Sequence, residues 1–395
     1  MAIELSEKQI KVGWQIVKFG EIAKEVKSTT KDPAEDGLEF YVGLEHLDPQ
    51  SLRIARKGII AEDNPSFTRR FSAGQILFGK RRCYQKKAAV ADFEGICSCD
   101  IIVMDAIPKK IIPELLPFII QSDAFFDWAE KTSSGSLSPR TKWKSLAEFE
   151  FPLPPIERQK EILEVLEKVE DNYGKNIRLV ERINLFKEII SNKLLNDPIS
   201  IYQDETVIEC SLGDVLEKIV GGGTPRRTVT KYWNGKIPWV TVKDLKGVRL
   251  SASLESITEE GLNNSATNLI PEATPIVATR IGVGKAAIFD KPITINQDLK
   301  ALFPKDVLLS EYLLYWLVSK ESYFDSVGKG TTVKGINLEL LRSTPFVLPS
   351  ANAQKKSIDL LKSIEGIEQV TLKKLRQLLH TRRSYFSFAI SGGVQ

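Results

Sequence analysis

The sequence predicts an α+β chain of two tandem repeats, each a mixed α/β module followed by one long helix. Three observations lead there. The first is internal similarity, sought before any single element because a repeat decides the architecture. FPLPPIERQK at 151–160 matches FVLPSANAQK at 346–355, with Phe, Leu, Pro, Gln and Lys in register 195 residues apart. Gly135-Ser136 answers Gly330-Thr331 at that same offset. KKAAV (86–90) answers GKAAI (284–288), and YVGLEHL (41–47) answers WVTVKDL (239–245), both at 198. Near the start of each half, Phe19-Gly20-Glu21-Ile22 answers Leu212-Gly213-Asp214-Val215. Colinear matches at nearly constant spacing mean duplicated halves. The second observation is size: 395 residues, 42% hydrophobic, are too many for one ordinary core and enough for two or three. The third is a change of period within each half, from short β-rich runs to a sustained heptad.

The first module, 1–154, contains LEFYVGL, GQILFGK, KAAVADF and CDIIVMD as strand candidates, broken by Gly, Asp and Pro, with ELLPFIIQSDAFFDWAEK as a helix. The second, 198–349, follows with IPWVTVK, TPIVATR, KAAIFD and ALFP, and with SEYLLYWLVSKESYF as its helix. Strands that dominate one or two helices are not the alternation of a doubly wound sheet.

The tails, 155–197 and 350–395, read as long helices. The first starts at Pro155, has no interior proline, and repeats apolar residues in steps of four and three: Ile162, Leu166, Val169, Tyr173, Val180, Ile183, Ile190 and Leu194. The second keeps this seam through Leu361, Ile364, Leu375, Leu378 and Tyr385. Asn176 and Lys187 in one seam, and Glu368, Thr371 and Arg382 in the other, are polar residues of the kind that fix register at a cost in stability. Gly174 and Gly366 each cost about 1 kcal/mol relative to alanine inside a helix, so packing between the two helices must support them. About 40 residues at about 1.5 Å rise make a rod of about 60 Å, too long for a helix lying on its own module of about 150 residues.

Bulk properties exclude several functions. The net charge of +4, from 55 basic and 51 acidic side chains, is too small to indicate a polyanionic partner without local clustering. Cys83, Cys97, Cys99 and Cys210 form no paired CxxC ladder, and with only His46 and His380 beside them no metal site is expected; they read as reduced thiols. The start, MAIELSEKQIKVGW, lacks the apolar core of a signal peptide, and no run of about 18 apolar residues occurs, so a cytoplasmic protein without a membrane partner is expected.

Catalytic candidates fail one by one. NPSF at 64–67 lacks the second proline of the base-holding NPPF or NPPY of amino-methyltransferases. GVGKAA at 282–287 ends like a phosphate loop, but Thr279 and Ala286 replace its first glycine and closing hydroxyl, which leaves a turn between strands. Asp298 and Lys300 in QDLK read as a solvated strand end. Two histidines offer little material for a triad. No catalytic residue and no cofactor is therefore assigned to this chain.

Binding remains. The first module gathers Lys80, Arg81, Arg82, Lys86 and Lys87 around Tyr84; the second gathers Arg226, Arg227, Lys231, Lys236 and Lys243 around Tyr232, Trp233 and Trp239, with Arg280 and Lys285 added by the repeat. Clustered cations neutralise phosphates, and individual Arg or Lys side chains read base edges. The glycines at 221–223 would let the backbone approach a phosphate closely.

Module, long helix, module, long helix, together with GGGTPRRTVTKYWNGKIPWVTVKDL, GKGTTVKGI and the FxLPxxxxQK entry to each helix, closely resembles the specificity subunit of type I restriction-modification enzymes. The likeness covers essentially the whole chain. STTKDP at 28–33 stands where the second half has its glycine loop, so the two modules are expected to read different sequences. The resemblance implies that the helices pack as an antiparallel coiled coil and that each module reads one half of a split double-stranded DNA target across an unread spacer. It implies two methyltransferase subunits as partners, which use S-adenosylmethionine, and restriction subunits that use ATP and Mg. The alternative is a stand-alone DNA-binding or protein-scaffold module without a methyltransferase partner.

Overall fold

The computed structural model describes residues 4–330 and 334–390. The chain divides into two compact units: Met1–Ile177 with Lys373–Gln395, and Arg178–Leu372. Each long helix therefore supplies one half to each unit.

In the first unit, an antiparallel sheet runs in the order Ala23–Val26, Ile101–Ala106, Ile76–Gly79, Ala88–Val90. A second sheet runs Gly58–Ile59, Phe40–Val42, Gly95–Cys97, Arg69–Phe71, with Phe40–Val42 parallel to Gly95–Cys97. Strand Ile76–Gly79 is buried throughout because both its faces are covered. Its alternating side chains serve two cores: Ile76 and Phe78 pack with Phe19, Phe125 and Phe126, whereas Leu77 packs with Val42, Phe71 and Val103. Gln15–Lys18 pairs with Glu150–Leu153 and ties the start of the module to the entry of the first long helix.

The second unit repeats this topology. Its larger sheet runs Leu216–Gly221, Leu299–Pro304, Ile276–Ala278, Ala286–Phe289, Arg249–Leu250. Its smaller one runs Glu255–Ile257, Trp233–Val240, Ile293–Ile295, Leu269–Ile270, again with one parallel pair, Trp233–Val240 with Ile293–Ile295. Val207–Ser211 pairs with Pro345–Pro349 as the counterpart of the first unit's entry strands.

Both helices expected inside the modules are broken in two. Ser122 interrupts the first: its hydroxyl accepts the Phe125 amide and caps a new helix, Asp123–Lys131, after Leu116–Ile120. The second divides at Lys320 into Ser310–Ser319 and Glu321–Val327.

The long helices span Ile156–Asn196 and Ala351–Ile390. In the first unit, Ile162, Leu163 and Leu166 near the start of one share a core with Phe386 and Ala389 near the end of the other. In the second unit, Leu194 and Leu195 pack with Ile358 and Leu361. Starts meet ends, so the pairing is antiparallel. Along the seam Ile162, Leu166, Ile183, Leu361 and Ile364 are buried, and Val169, Tyr173, Val180, Leu375 and Leu378 half-buried. Among its polar members, Arg382 bonds Glu170 at 2.8 Å and the Gln50 carbonyl at 2.6 Å, and Lys187 lies 3.5 and 3.3 Å from Glu365 and Glu368. Asn176 and Thr371 satisfy themselves on the carbonyls of Asn172 and Ile367, one turn back in their own helices.

The repeated helix-entry motif has a physical reason in its glutamine. Buried Gln159 donates to the carbonyls of Pro154 (2.8 Å) and Lys110 (3.0 Å) and accepts the Ile112 amide (2.9 Å). Buried Gln354 donates to Pro349 and Val307 (both 2.9 Å) and accepts the Leu309 amide (2.8 Å). One amide thus fastens the first turn of each long helix to its own module. Among the described residues no helix is long and apolar enough to cross a membrane.

Candidate nucleic-acid interface

In the first unit the strand Ile76–Gly79 delivers Lys80, Arg81 and Arg82 to the surface. Arg82 and Lys86 take left-handed backbone angles on either side of the short turn Cys83–Gln85 and hold Tyr84 exposed. The loop 133–140 closes against this segment: Arg81 bridges Arg140, the Arg82 amide donates to Pro139 (2.8 Å), and the Thr141 amide donates to Lys80 (3.0 Å). Asp100 lies beneath. It accepts Arg140 Nε at 2.7 Å and Arg81 Nη1 at 3.5 Å, and the bonded Arg140 guanidinium holds its carboxyl below the usual range. Ser138 Oγ accepts from Arg81 at 3.1 Å and from Arg82 at 3.4 Å.

The expected cluster therefore splits. Lys80, Arg81, Arg82 and Tyr84 stand together and gain Arg140. Lys86 instead pairs with Asp123, and Lys87 donates its ammonium to the Leu44 carbonyl at 2.7 Å, so the chain itself engages both.

The second unit repeats the frame. Strand Ile276–Ala278 leads into Thr279, whose amide and hydroxyl donate to the Asp298 carbonyl at 2.8 and 3.2 Å, and into Arg280, whose guanidinium lies 3.7 Å from the Asp298 carboxylate. Arg280 bridges Gly335, as Arg81 bridges Arg140. Thr331, the repeat partner of Ser136, lies outside the described residues with Thr332 and Val333 of the same loop. Asp298 is buried and fixed by Asn296 (2.9 Å), which corrects its reading as a solvated strand end. GVGKAA is the turn between Ile276–Ala278 and Ala286–Phe289, with Gly282 and Gly284 at positive φ and Lys285 exposed. A side chain at Gly282 would lie 3.1 Å from Val242, so this turn abuts the one carrying Lys243.

The stretch 221–247 is more ordered than its glycines suggest. A Cβ at Gly222 would sit 1.9 Å from the Ile295 carbonyl oxygen, and one at Gly223 would sit 2.8 Å from the Ala266 backbone. The chain itself, rather than a phosphate, demands these glycines. Thr224 then bonds Gln297 at 2.7 Å, beside Asp298, which ties GGGTP to the Arg280 turn. Trp239 was expected at the surface but is buried, because its indole N–H donates to the Gly223 carbonyl at 3.0 Å; it props the loop from beneath. Arg227 packs over Trp233 at 3.9 Å and Trp239 at 4.8 Å and makes a two-point pair with Glu255, whose carboxyl it holds low. Lys231 pairs with Glu260. Arg226, Lys236, Lys243 and Lys285 are exposed and, among the described residues, have no ion-pair partner.

Sequence reasoning missed Arg140 and Asp100. A signal existed, since Asp100 lies opposite Asp298 at the 198-residue offset of the neighbouring repeats. Among the described residues no group of three or more His, Cys, Asp or Glu side chains is placed to hold a metal ion.

Each unit thus carries an aspartate-anchored arginine that bridges a later segment of its own module, and the sequence matches one domain description twice, over residues 11–183 and 205–379: type I restriction modification DNA specificity domain. The chain belongs to that family. It is 29% identical over 169 residues to the MjaIX specificity subunit of Methanocaldococcus jannaschii, covering 42% of this chain and 39% of that one. It is 27% identical over 237 residues to a type I restriction enzyme specificity subunit of Escherichia coli, covering 58% and 57%. The match to the M. jannaschii MjaVIII specificity subunit spans 97% of this chain and 93% of that one at 21% identity. The chain thus spans well under two thirds of the length of the first two relatives. Two solved structures share the fold of this family member. One is from work on complex assembly and conformational transition of the type I R-M system (TM-score 0.63, 18% identity, all of both chains). The other is the type I restriction-modification S subunit from M. genitalium (TM-score 0.53, 14% identity, 98% of both chains).

Proposed function

We propose that this chain is the non-catalytic DNA-recognition subunit of a type I restriction-modification complex. Modules 1–154 and 198–349 each read one half of a split duplex target, and the helices 155–197 and 350–395 set the unread spacer. The observation that carries this reading is the duplication of one design: a strand-end aspartate, half-buried at Asp100 and buried at Asp298, pairs with an arginine that bridges a later segment of its own module, Arg81 on Asp100 and Arg280 on Asp298. Fixing the arginine before DNA arrives lowers the ordering cost of contact. Around each anchor stand exposed groups, Arg82 and Tyr84 in one unit and Arg226, Lys243 and Lys285 in the other, suited to phosphates and base edges. Because the exposed groups differ, the two half-sites differ in sequence.

Two methyltransferase subunits that use S-adenosylmethionine dock on the helix pair, where exposed Leu179, Phe186, Ile189, Leu360, Ile367 and Val370 offer apolar surface. Restriction subunits using ATP and Mg join them, and the complex works in the cytoplasm.

The test is co-expression with the methyltransferase of the same system, followed by mapping of methylated adenines. A two-part motif with a fixed gap is expected. Replacing Arg226 and Arg227 by alanine should relax only the half-site read by the second module. Equal loss at both halves would refute modular reading, and DNA binding that never involves the methyltransferase would favour a stand-alone binder.

A further inference from the structure

The two docking flanks of the helix pair are not equivalent. In an antiparallel pair, heptad positions beside the seam on one helix face the same positions on the other. Contacts of Lys187 with Glu365 and Glu368 set the register in the second unit and put Phe186 level with Ile367. Both are about half exposed (51% and 55%), and Leu179, Leu185, Ile189, Leu360 and Val370 extend the same flank. This apolar stripe lies wholly within the second unit and is about 20 Å long at helical rise.

The repeat offset of 195 residues names each counterpart in the first unit. Leu179, Leu185, Phe186 and Ile189 answer to Lys374, His380, Thr381 and Ser384; Ile367 and Val370 answer to Asn172 and Lys175; only Leu360 finds an apolar partner, Val165. All seven counterparts are exposed. The first unit's flank keeps two exposed apolar side chains of its own, Val165 and Phe388 (37% and 48% exposed), the latter answering to Lys193. Duplication thus produced two related flanks, one with seven exposed apolar side chains and one with two.

We infer that the chain loads its two methyltransferase subunits in a fixed order, the first by an amphipathic helix on the more apolar flank of the second unit, the other more weakly on the less apolar flank of the first. This rests on the reading of the chain as a specificity subunit. A helix fits because Gly366, on the exposed side of its helix next to Ile367 and Val370, has nothing within 4 Å and leaves its backbone open to close approach. A second copy of this chain fits poorly. Exposed Arg178 and Arg182 border the stripe without an ion-pair partner among the described residues, so self-association would bring like charges together, whereas a helix with an acidic rim would be attracted.

The experiment is a titration of the full chain with the methyltransferase subunit of the same system, followed by native mass spectrometry and calorimetry. Two steps at least about tenfold apart in affinity are expected, so that a one-to-one complex accumulates first. Phe186→Asp with Ile367→Asp, both at exposed positions, should weaken the tighter step by about a hundredfold. Asn172→Asp with Thr381→Asp should leave it within about threefold. Two steps of equal affinity would overturn the inference while leaving the specificity-subunit reading intact. So would a tighter step indifferent to the first pair of substitutions, or a dimer of the isolated chain that the same pair dissolves. Absence of any complex with the unaltered chain would instead overturn the underlying reading, and the inference with it.

Discussion

The two units are built on one plan yet secure their long helices differently. In the first, Arg382 is almost wholly buried (4% exposed) and joins Glu170 to the Gln50 carbonyl, while Gly174 leaves room for Arg53: a Cβ there would meet its guanidinium at 2.6 Å. In the second, the polar lock is Lys187, about one third exposed between Glu365 and Glu368, and Gly366 faces open space. Held in common are the apolar seam and the glutamine fastening. Apolar packing and hydrogen bonds to the main chain persisted through duplication, while ionic locks were rebuilt separately on each side.

The sharpest way to break this comparison is to remove both locks. Arg382→Ala leaves the largely buried carboxylate of Glu170 with only Arg53, 3.9 Å away, as a partner, with an expected loss of up to roughly 3–5 kcal/mol in denaturant unfolding. Lys187→Ala, at a wetter site, should lose about 1 kcal/mol or less. Equal losses would mean that burial does not separate the two locks. Next come the elements held in common: Gln159→Ala and Gln354→Ala each orphan one amide and two carbonyls, and each should cost about 1–3 kcal/mol. A large difference between the two would show that the fastening is not shared. The smallest effect discriminates most finely. Gly366→Ala should raise stability by about 1 kcal/mol, whereas Gly174→Ala should gain little, because its methyl displaces Arg53 from Glu170. A melting temperature raised equally by both would remove the packing role assigned to Gly174.

Much of the fold could be read along the chain because its determinants are local or repeated. The heptad of Ile162 to Leu194 and the FxLPxxxxQK motif are properties of neighbouring residues, and duplication displayed them twice. The helix break at Ser122 was less visible, since one hydroxyl capping one amide outweighed an otherwise helical pattern. The candidate interface was read in part. Clusters of Lys and Arg mark it in sequence, but burial and partners decide which members remain free. Lys86 was spent on Asp123 and Trp239 on the Gly223 carbonyl, while Arg140 arrived from 58 residues beyond Arg82 to share Asp100. Such partnerships depend on how distant loops close on each other, and no local period reports them.

The glutamine fastening has a wider consequence. Gln159 and Gln354 engage only main-chain atoms of their modules, at Lys110, Ile112 and Pro154 in one and at Val307, Leu309 and Pro349 in the other. A socket made of backbone is indifferent to the side chains around it. Heads carrying unrelated surface residues can therefore be exchanged on a common stem provided their main chain follows the same path, so whole heads can be shuffled without redesigning the joint.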